Sequence, residues 1–365
     1  MSARALPRAR PARPAPARAP RRPGGKFRTE RRPERAPSLL TRVPLAALAL
    51  LALCAATPAK ETRYLTGNAE DVKPKLHGPA YHLQGGGTDV AAAFQWMIDR
   101  VRGCDSCDAK LDVVVLRASG AEGYNDFIYK MRGIDSVETL IIKAREDADV
   151  RAVGETVERA EIVFFAGGDQ CNYVKYFKGT RVERAVERVH ARGGGIGGTS
   201  AGLAILGDVA YDACSGGSAQ SAKALRNPYH ADISFTYDFF DFPPLRGTIT
   251  DTHFVERDRM GRLLAFIARQ LRDGKYGSIL GVAVERETSL VVDKRGLALV
   301  LGKGPAYFVL GDHPPEVCEP GLPLTYSNYK VWKVATGATF DLRNRPKTGH
   351  YMVSVRDGKI LSDPY

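Results

Sequence analysis

From residue 81 onward, short apolar runs alternate with amphipathic stretches and glycine-marked turns. Residues 81–84 are expected to form a strand leading into Gly85-Gly86-Gly87, followed by a helix over 90–101. Residues 111–116 are a valine-rich run, the pattern of a strand buried on both faces. A strand over 137–142, a helix over 147–159 and a strand over 162–165 ending on Gly167-Gly168 continue the alternation. A helix over 182–192 then stops at Gly193-Gly194-Gly195, where glycine supplies the left-handed cap. Such alternation implies right-handed crossovers and an α/β fold with a mostly parallel sheet covered by helices. Ligands in such sheets gather at the carboxyl ends of the strands. After residue 278 the pattern changes to short strands over 280–284, 289–292, 297–301 and 307–310, read as a small antiparallel addition on one side. Residues 313–365 are punctuated by Pro and Gly and have no assigned place.

Charge first suggests a nucleic-acid or membrane-surface partner, because the chain carries a formal +12. Its distribution removes that suggestion: residues 1–42 hold 13 of the basic residues and only two acids, Glu30 and Glu34, so the body is nearly neutral. This Arg/Pro/Ala leader contains almost nothing to bury and is expected to be disordered. Residues 45–56 are twelve uncharged residues dominated by Leu and Ala. That is short of the ~20 needed to span a bilayer but fits the apolar core of a secretory signal. Cleavage after Ala56 or Ala59 would follow small residues, whereas a lipoprotein reading through Cys54 is opposed by the bulky Leu53. The leader is long for a signal peptide and points to a translation start further downstream. The expected organisation is therefore leader 1–42, signal core and cleavage region 43–59, main folded domain 60–312 and extension 313–365. Export to the periplasm or medium is expected if the signal is processed, and a cytoplasmic protein if it is not.

Of six cysteines, Cys104 and Cys107 have a C-x-x-C spacing that could serve a metal, a redox pair or a loop disulfide. No second pair of ligands completes a zinc site, so the loop disulfide is expected, with at least one free thiol left over.

Three segments carry chemistry. Gly198-Thr199-Ser200-Ala201-Gly202 matches G-x-S-x-G between a Gly-rich strand and an apolar run over 203–206, the setting that lifts a serine hydroxyl clear of the backbone. A plain glycine turn is the bland alternative. Among the seven histidines, His253 stands out as a base, because it follows a short strand over 248–250 and precedes a helical pattern. His190 is expected to be a solvated helix residue and His230 a weaker competitor. Gly167-Gly168-Asp169-Gln170 ends another strand, where paired glycines let amides approach an oxyanion and Asp169 could equally cap the next helix.

In that order and spacing, "FFAGGDQ", "GIGGTSAG" and "DTHFVERDRMGRL" resemble the cyanophycinase and aspartyl dipeptidase family of serine peptidases, most of all its cyanophycinase branch, over about residues 80–300. The resemblance implies a flavodoxin-like three-layer fold related to class I glutamine amidotransferases, and no metal or cofactor. It implies hydrolysis of multi-L-arginyl-poly-L-aspartate to β-Asp-Arg dipeptides through an acyl-enzyme. Matched residue by residue, Ser200 is the nucleophile, His253 the base, and the amides of Gly168 and Ala201 the oxyanion hole. Gln170, Asp251, Arg257, Arg259 and Arg262 line the substrate groove, with Arg forks suited to carboxylates and an Asp suited to a guanidinium. Glu285 matches the acid that orients the base, with Glu287 and Asp251 as alternatives. The chain departs from the branch at Arg286, where a second acid is expected, and at Thr252, where the branch usually has Gln.

The expected partners are a peptide or polyaspartate-type substrate, no nucleic acid and no membrane anchor after processing; a homodimer is left open. An α-aspartyl dipeptidase or other small-peptide hydrolase, and a secreted binding protein that has lost turnover, are the alternatives. Nucleic-acid binding through the leader ranks last, and a generic α/β-hydrolase esterase would leave two of the three segments unexplained.

Overall fold

The computed structural model describes residues 61–365. The leader, the signal core and the expected cleavage sites lie outside the described residues.

Five parallel strands form the centre, in the spatial order Ile134–Ile141, Leu111–Arg117, Ile162–Phe165, Gly195–Thr199 and Ala80–Gln84. They belong to a nine-stranded sheet. Alternation along Leu111–Arg117 shows why its centre, residues 113–116, is apolar on both faces. Val113 and Val115 pack with Phe94, Met97, Ile98 and Val101 of helix Ala91–Arg102. Val114 and Leu116 face the opposite way, toward Val153, Val157, Val182, Val186 and Val189 of helices Arg151–Arg159 and Arg181–Ala191. Each residue of 113–116 thus meets a helix on one face or the other, while Asp112, near the start of the strand, accepts the Ser136 hydroxyl at 2.6 Å.

The helix expected over 147–159 is divided into Arg145–Ala148 and Arg151–Arg159. Val150 is extended between them, and the Asp149 carboxylate accepts the amide of Arg181, the first residue of helix Arg181–Ala191, at 2.9 Å. A capping bond across the fold thereby replaces one turn of helix.

The antiparallel strands divide between two sheets. Thr288–Asp293 and Leu297–Gly302 extend the first sheet beside Ala80–Gln84. Ile279–Val284 and Ala306–Gly311 enter a second, eight-stranded sheet. That sheet has its own short parallel core, with Thr248–Asp251 between Val209–Tyr211 and Ile279–Val284. Residues 313–365, unplaced by their sequence, supply Tyr326–Val334, Tyr351–Arg356 and Lys359–Ile360 to the second sheet and Thr339–Asp341 to the edge of the first. Helix Met260–Arg272 covers the second sheet through Leu263, Phe266 and Ile267. Leu280, Val282 and Val284 turn the other way and share a core with Leu290, Val292 and Val300 of the first sheet. No helix among the described residues is long and apolar enough to cross a membrane.

Cys104 pairs with Cys107 as the spacing suggested, and Cys318 is a buried free thiol. A second disulfide, Cys171–Cys214, spans 43 residues of chain and was not legible in the sequence. Chain-entropy arguments give a closed loop of that length about 4 kcal/mol of stabilisation, and the short Cys104–Cys107 loop roughly half as much. The Cys171→Ala/Cys214→Ala protein is expected to lose about 4 kcal/mol in denaturant unfolding, against about 2 kcal/mol for the Cys104→Ala/Cys107→Ala protein.

Candidate active site

The residues singled out from sequence converge because each follows a parallel strand. Ser200 follows Gly195–Thr199, Gly168 follows Ile162–Phe165, His253 follows Thr248–Asp251 and Glu285 follows Ile279–Val284. The first two strands lie in one sheet and the last two in the other. What brings them together is the end of Ala80–Gln84. The Gln84 carbonyl accepts the Ser200 amide at 3.0 Å, and the next carbonyl, Gly85, accepts the His253 amide at 2.8 Å. Gly86 in turn accepts the Glu287 amide at 2.7 Å. A Cβ on Gly85 would overlap the Val284 and Glu285 carbonyls, and one on Gly86, whose φ is +100°, would overlap the His253 ring. Sequence reading saw Gly85-Gly86-Gly87 only as a loop; a triple glycine at the end of a parallel strand was the available signal.

Ser200 sits at φ 52°, ψ −116°, an uncommon conformation for a residue with a side chain. Its Oγ lies 3.0 Å from His253 Nε2. His253 is itself at φ 45°. Backbone in such regions costs about 1–3 kcal/mol per residue and persists where surrounding contacts hold it. Here the hydrogen bonds that the Ser200 and His253 amides donate to the Gln84 and Gly85 carbonyls do so. Ala201 is the first residue of a helical turn, so its amide has no acceptor within that turn. Gly167 passes close by: a side chain there would stand 3.6 Å from Ser200 Cβ, which puts the Gly167-Gly168 backbone against the serine. Asp169 caps helix Gln170–Phe177 by accepting the Cys171 amide at 2.9 Å.

The other nitrogen of His253, Nδ1, is 2.8 Å from Oε2 of Glu256. Glu285, expected on this nitrogen, instead accepts the backbone amides of Val255, Glu256 and Arg286. Glu287 pairs with Lys303, and Asp251 pairs with Arg262, so neither alternative acid is on the ring. Glu256 was missed because residues 254–259 read as the start of a helix surface; the signal was an acid three residues after the histidine. Burial lowers the His253 pKa below its ordinary 6.5, and Arg257 and Arg259 push the same way, while the bond to Glu256 raises it. That bond in turn lowers the pKa of Glu256.

Ser200 opens on a cavity of about 520 Å³ lined also by Gly168, Gln170, Ala201, Asp251, Arg257, Arg259 and Arg262. The expected groove residues therefore do share one wall, but they are not equally free. Arg262 is 3% exposed and bonds both oxygens of Asp251 as well as Ser218 Oγ at 2.9 Å. Arg259 is also buried, donating to the Thr252 carbonyl and hydroxyl at 2.8 and 3.0 Å. Burial brings its pKa down to about 10, still well above neutral pH. Asp251 was expected to meet a substrate guanidinium. With both oxygens taken by Arg262 it builds the wall instead. Arg257, half exposed and 3.9 Å from Glu256, and Lys175, which sequence reading did not select, are the cations left at the rim. The disulfide Cys171–Cys214 lies in the same wall and ties helix Gln170–Phe177 to the loop that carries Gly216, Gly217 and Ser218.

His190 is not the solvated residue expected of it: its Nε2 is 2.7 Å from the Tyr81 hydroxyl and its ring packs on Phe242. His230 accepts the Asp232 amide on Nδ1 at 3.1 Å, within its own turn. No group of three or more His, Cys, Asp or Glu among the described residues is arranged to hold a metal ion.

A hydroxyl against an imidazole whose far nitrogen is held by a carboxylate, beside backbone amides at two strand ends, suits covalent acyl transfer.

The chain is 30% identical over 224 residues to the cyanophycinases of Trichormus variabilis and of a Nostoc species, covering 60% of this chain and 69% of each relative. It is 26% identical over 271 residues to the cyanophycinase of Synechococcus elongatus, covering 71% and 78%. No family model matches. Among solved structures, a peptidase from an acI-B1 Actinobacterium aligns over 73% of this chain and 98% of its own, with 14% identity and a TM-score of 0.49.

Two outcomes are expected. The acid limb of kcat/KM has its midpoint below the ordinary histidine value of 6.5, because a His253 with depressed pKa loses its proton at lower pH and is ready as a base above it. Gly86→Ala, which drives a methyl into the His253 ring, lowers kcat at least ~10-fold while circular dichroism stays native.

Proposed function

The chain belongs to the cyanophycinase family and is a peptidase of the serine type, and from that premise we propose that it hydrolyses aspartyl peptide bonds through an acyl-enzyme formed on Ser200. The observation that carries this reading is the 3.0 Å contact between Ser200 Oγ and His253 Nε2 at the mouth of a cavity with cationic walls.

His253 takes the Ser200 proton as Oγ attacks the scissile carbonyl. The charge that develops on the carbonyl oxygen is met by the amides of Gly168 and Ala201. The imidazolium gives its proton to the leaving amine. Water, activated by the same nitrogen, then releases the acyl group. A carboxylate of the substrate meets Arg257 and Lys175 at the rim, with Arg259 and Arg262 contributing a positive wall behind them. The substrate this favours is the branched polymer multi-L-arginyl-poly-L-aspartate, released as β-Asp-Arg dipeptides. Arg262 and Arg259 act chiefly by shaping the wall, since their forks already bond protein oxygens.

We further propose that the protein is exported after its apolar segment at 45–56 is cleaved. The two disulfides support this, since such bonds persist in oxidising compartments.

Ser200→Ala is expected to retain the native fold and to lower kcat by at least ~10³-fold in an assay that follows β-Asp-Arg released from the polymer. Cleavage of Asp-X dipeptides in place of the polymer would turn the assignment to the small-peptide branch. Wild-type protein inert on both and unlabelled by a serine-reactive fluorophosphonate would refute it. Fractionation should recover a shortened chain outside the cytosol, and a full-length cytosolic chain would refute export.

A further inference from the structure

The acid on the base is a residue of this chain's own turn. Residues 253–259 are closed by backbone bonds from Arg257 N to the His253 carbonyl at 3.1 Å and from Arg259 N to the Phe254 carbonyl at 2.9 Å. In such a turn, residues three apart lie on one face. The Oε2 of Glu256 is on His253 Nδ1 at 2.8 Å, and its Oε1 is 3.4 Å from a guanidinium nitrogen of Arg286. Both oxygens have a partner that fixes their direction.

Glu285 occupies the next layer. It accepts the amides of Glu256 at 3.3 Å and Arg286 at 2.8 Å, and that of Val255. A carboxylate that has gathered three backbone amides has most of its accepting capacity engaged. We propose that Glu256 is the residue that positions His253, and that Glu285 acts one step behind it by fixing the turn on which Glu256 is carried. The inference rests on Ser200 and His253 being nucleophile and base.

The chemistry follows from what each atom can do. An ionised carboxylate only accepts, so Nδ1 must carry the hydrogen and Nε2 is left bare toward Ser200. Arg286 gives the outer oxygen of Glu256 a partner at 3.4 Å, so both oxygens of this partly exposed side chain are engaged. The charged groups facing His253 are Glu256, Arg257 and Arg259, with Glu285 and Arg286 bonded to the turn that carries them.

Two measurements separate this assignment from the underlying reading. In steady-state assays Glu256→Gln should lower kcat by roughly 10²- to 10³-fold with KM nearly unchanged. Its acid limb should move to lower pH, since the lost bond is the one that raises the His253 pKa. Glu285→Gln should cost less and leave the limb in place. Independently of any substrate, the NMR titration of the His253 ring in Ser200→Ala protein should fall on adding Glu256→Gln and stay on adding Glu285→Gln. The reverse pattern, with the titration following Glu285, overturns the proposal. A titration that follows Glu256 in a protein that cleaves no aspartyl peptide upholds the positioning and removes the peptidase reading instead.

Discussion

Two neighbouring carbonyls, Gln84 and Gly85, hold the amides of Ser200 and His253. The nucleophile candidate ends a strand of one sheet and the base candidate ends a strand of the other, so their separation would otherwise depend on how two large sheets pack. A single strand end spans the junction, and consecutive Cα atoms of a trans chain stay about 3.8 Å apart. The distance from hydroxyl to imidazole is thereby tied to covalent geometry. The cost is borne by the backbone: Ser200 and His253 both take positive φ, and the bridging segment has room for nothing larger than glycine at two successive positions.

Around this bridge, charge is layered. Asp251 and Arg262 neutralise each other in a nearly water-free wall, where a lone ion would be costly. Arg259 is held by Thr252 oxygens and lies 3.7 Å from the same carboxylate. The wall is thus slightly positive, and the cations Arg257 and Lys175 stand at its rim. Cys171–Cys214 lies in the same wall and links the helix after Gly168 to the loop that contributes Ser218, which itself bonds Arg262.

Much of this was legible from local pattern. The parallel strands over 111–116 and 162–165, the glycine-flanked serine and the strand-end histidine are all short-range features, because burial on two faces or a sharp turn leaves its mark within a few residues. The division of the antiparallel strands between two sheets was not legible. Strands over 280–284 and 289–292 are equally apolar, and only their partners, Ala306–Gly311 for one and Ala80–Gln84 for the other, distinguish them. The pairing of Cys171 with Cys214 was hidden for the same reason: their Cα atoms lie 5.0 Å apart through the fold and 43 residues apart along the chain.

What the sequence determined by itself is the set of elements and the chemical groups at their ends, since periodicity and turn chemistry are written locally. What the tertiary structure alone decided is which groups are free to act. Asp251, Arg262 and Glu285 carry charges suited to a substrate or a base, and each is occupied by another protein group brought in from a distant part of the chain or from its own backbone. Glu256, which reads as an ordinary surface acid, is the one whose carboxylate is left to meet the imidazole. A side chain's charge is fixed by its type, but its availability depends on every neighbour that competes for its few lone pairs and protons.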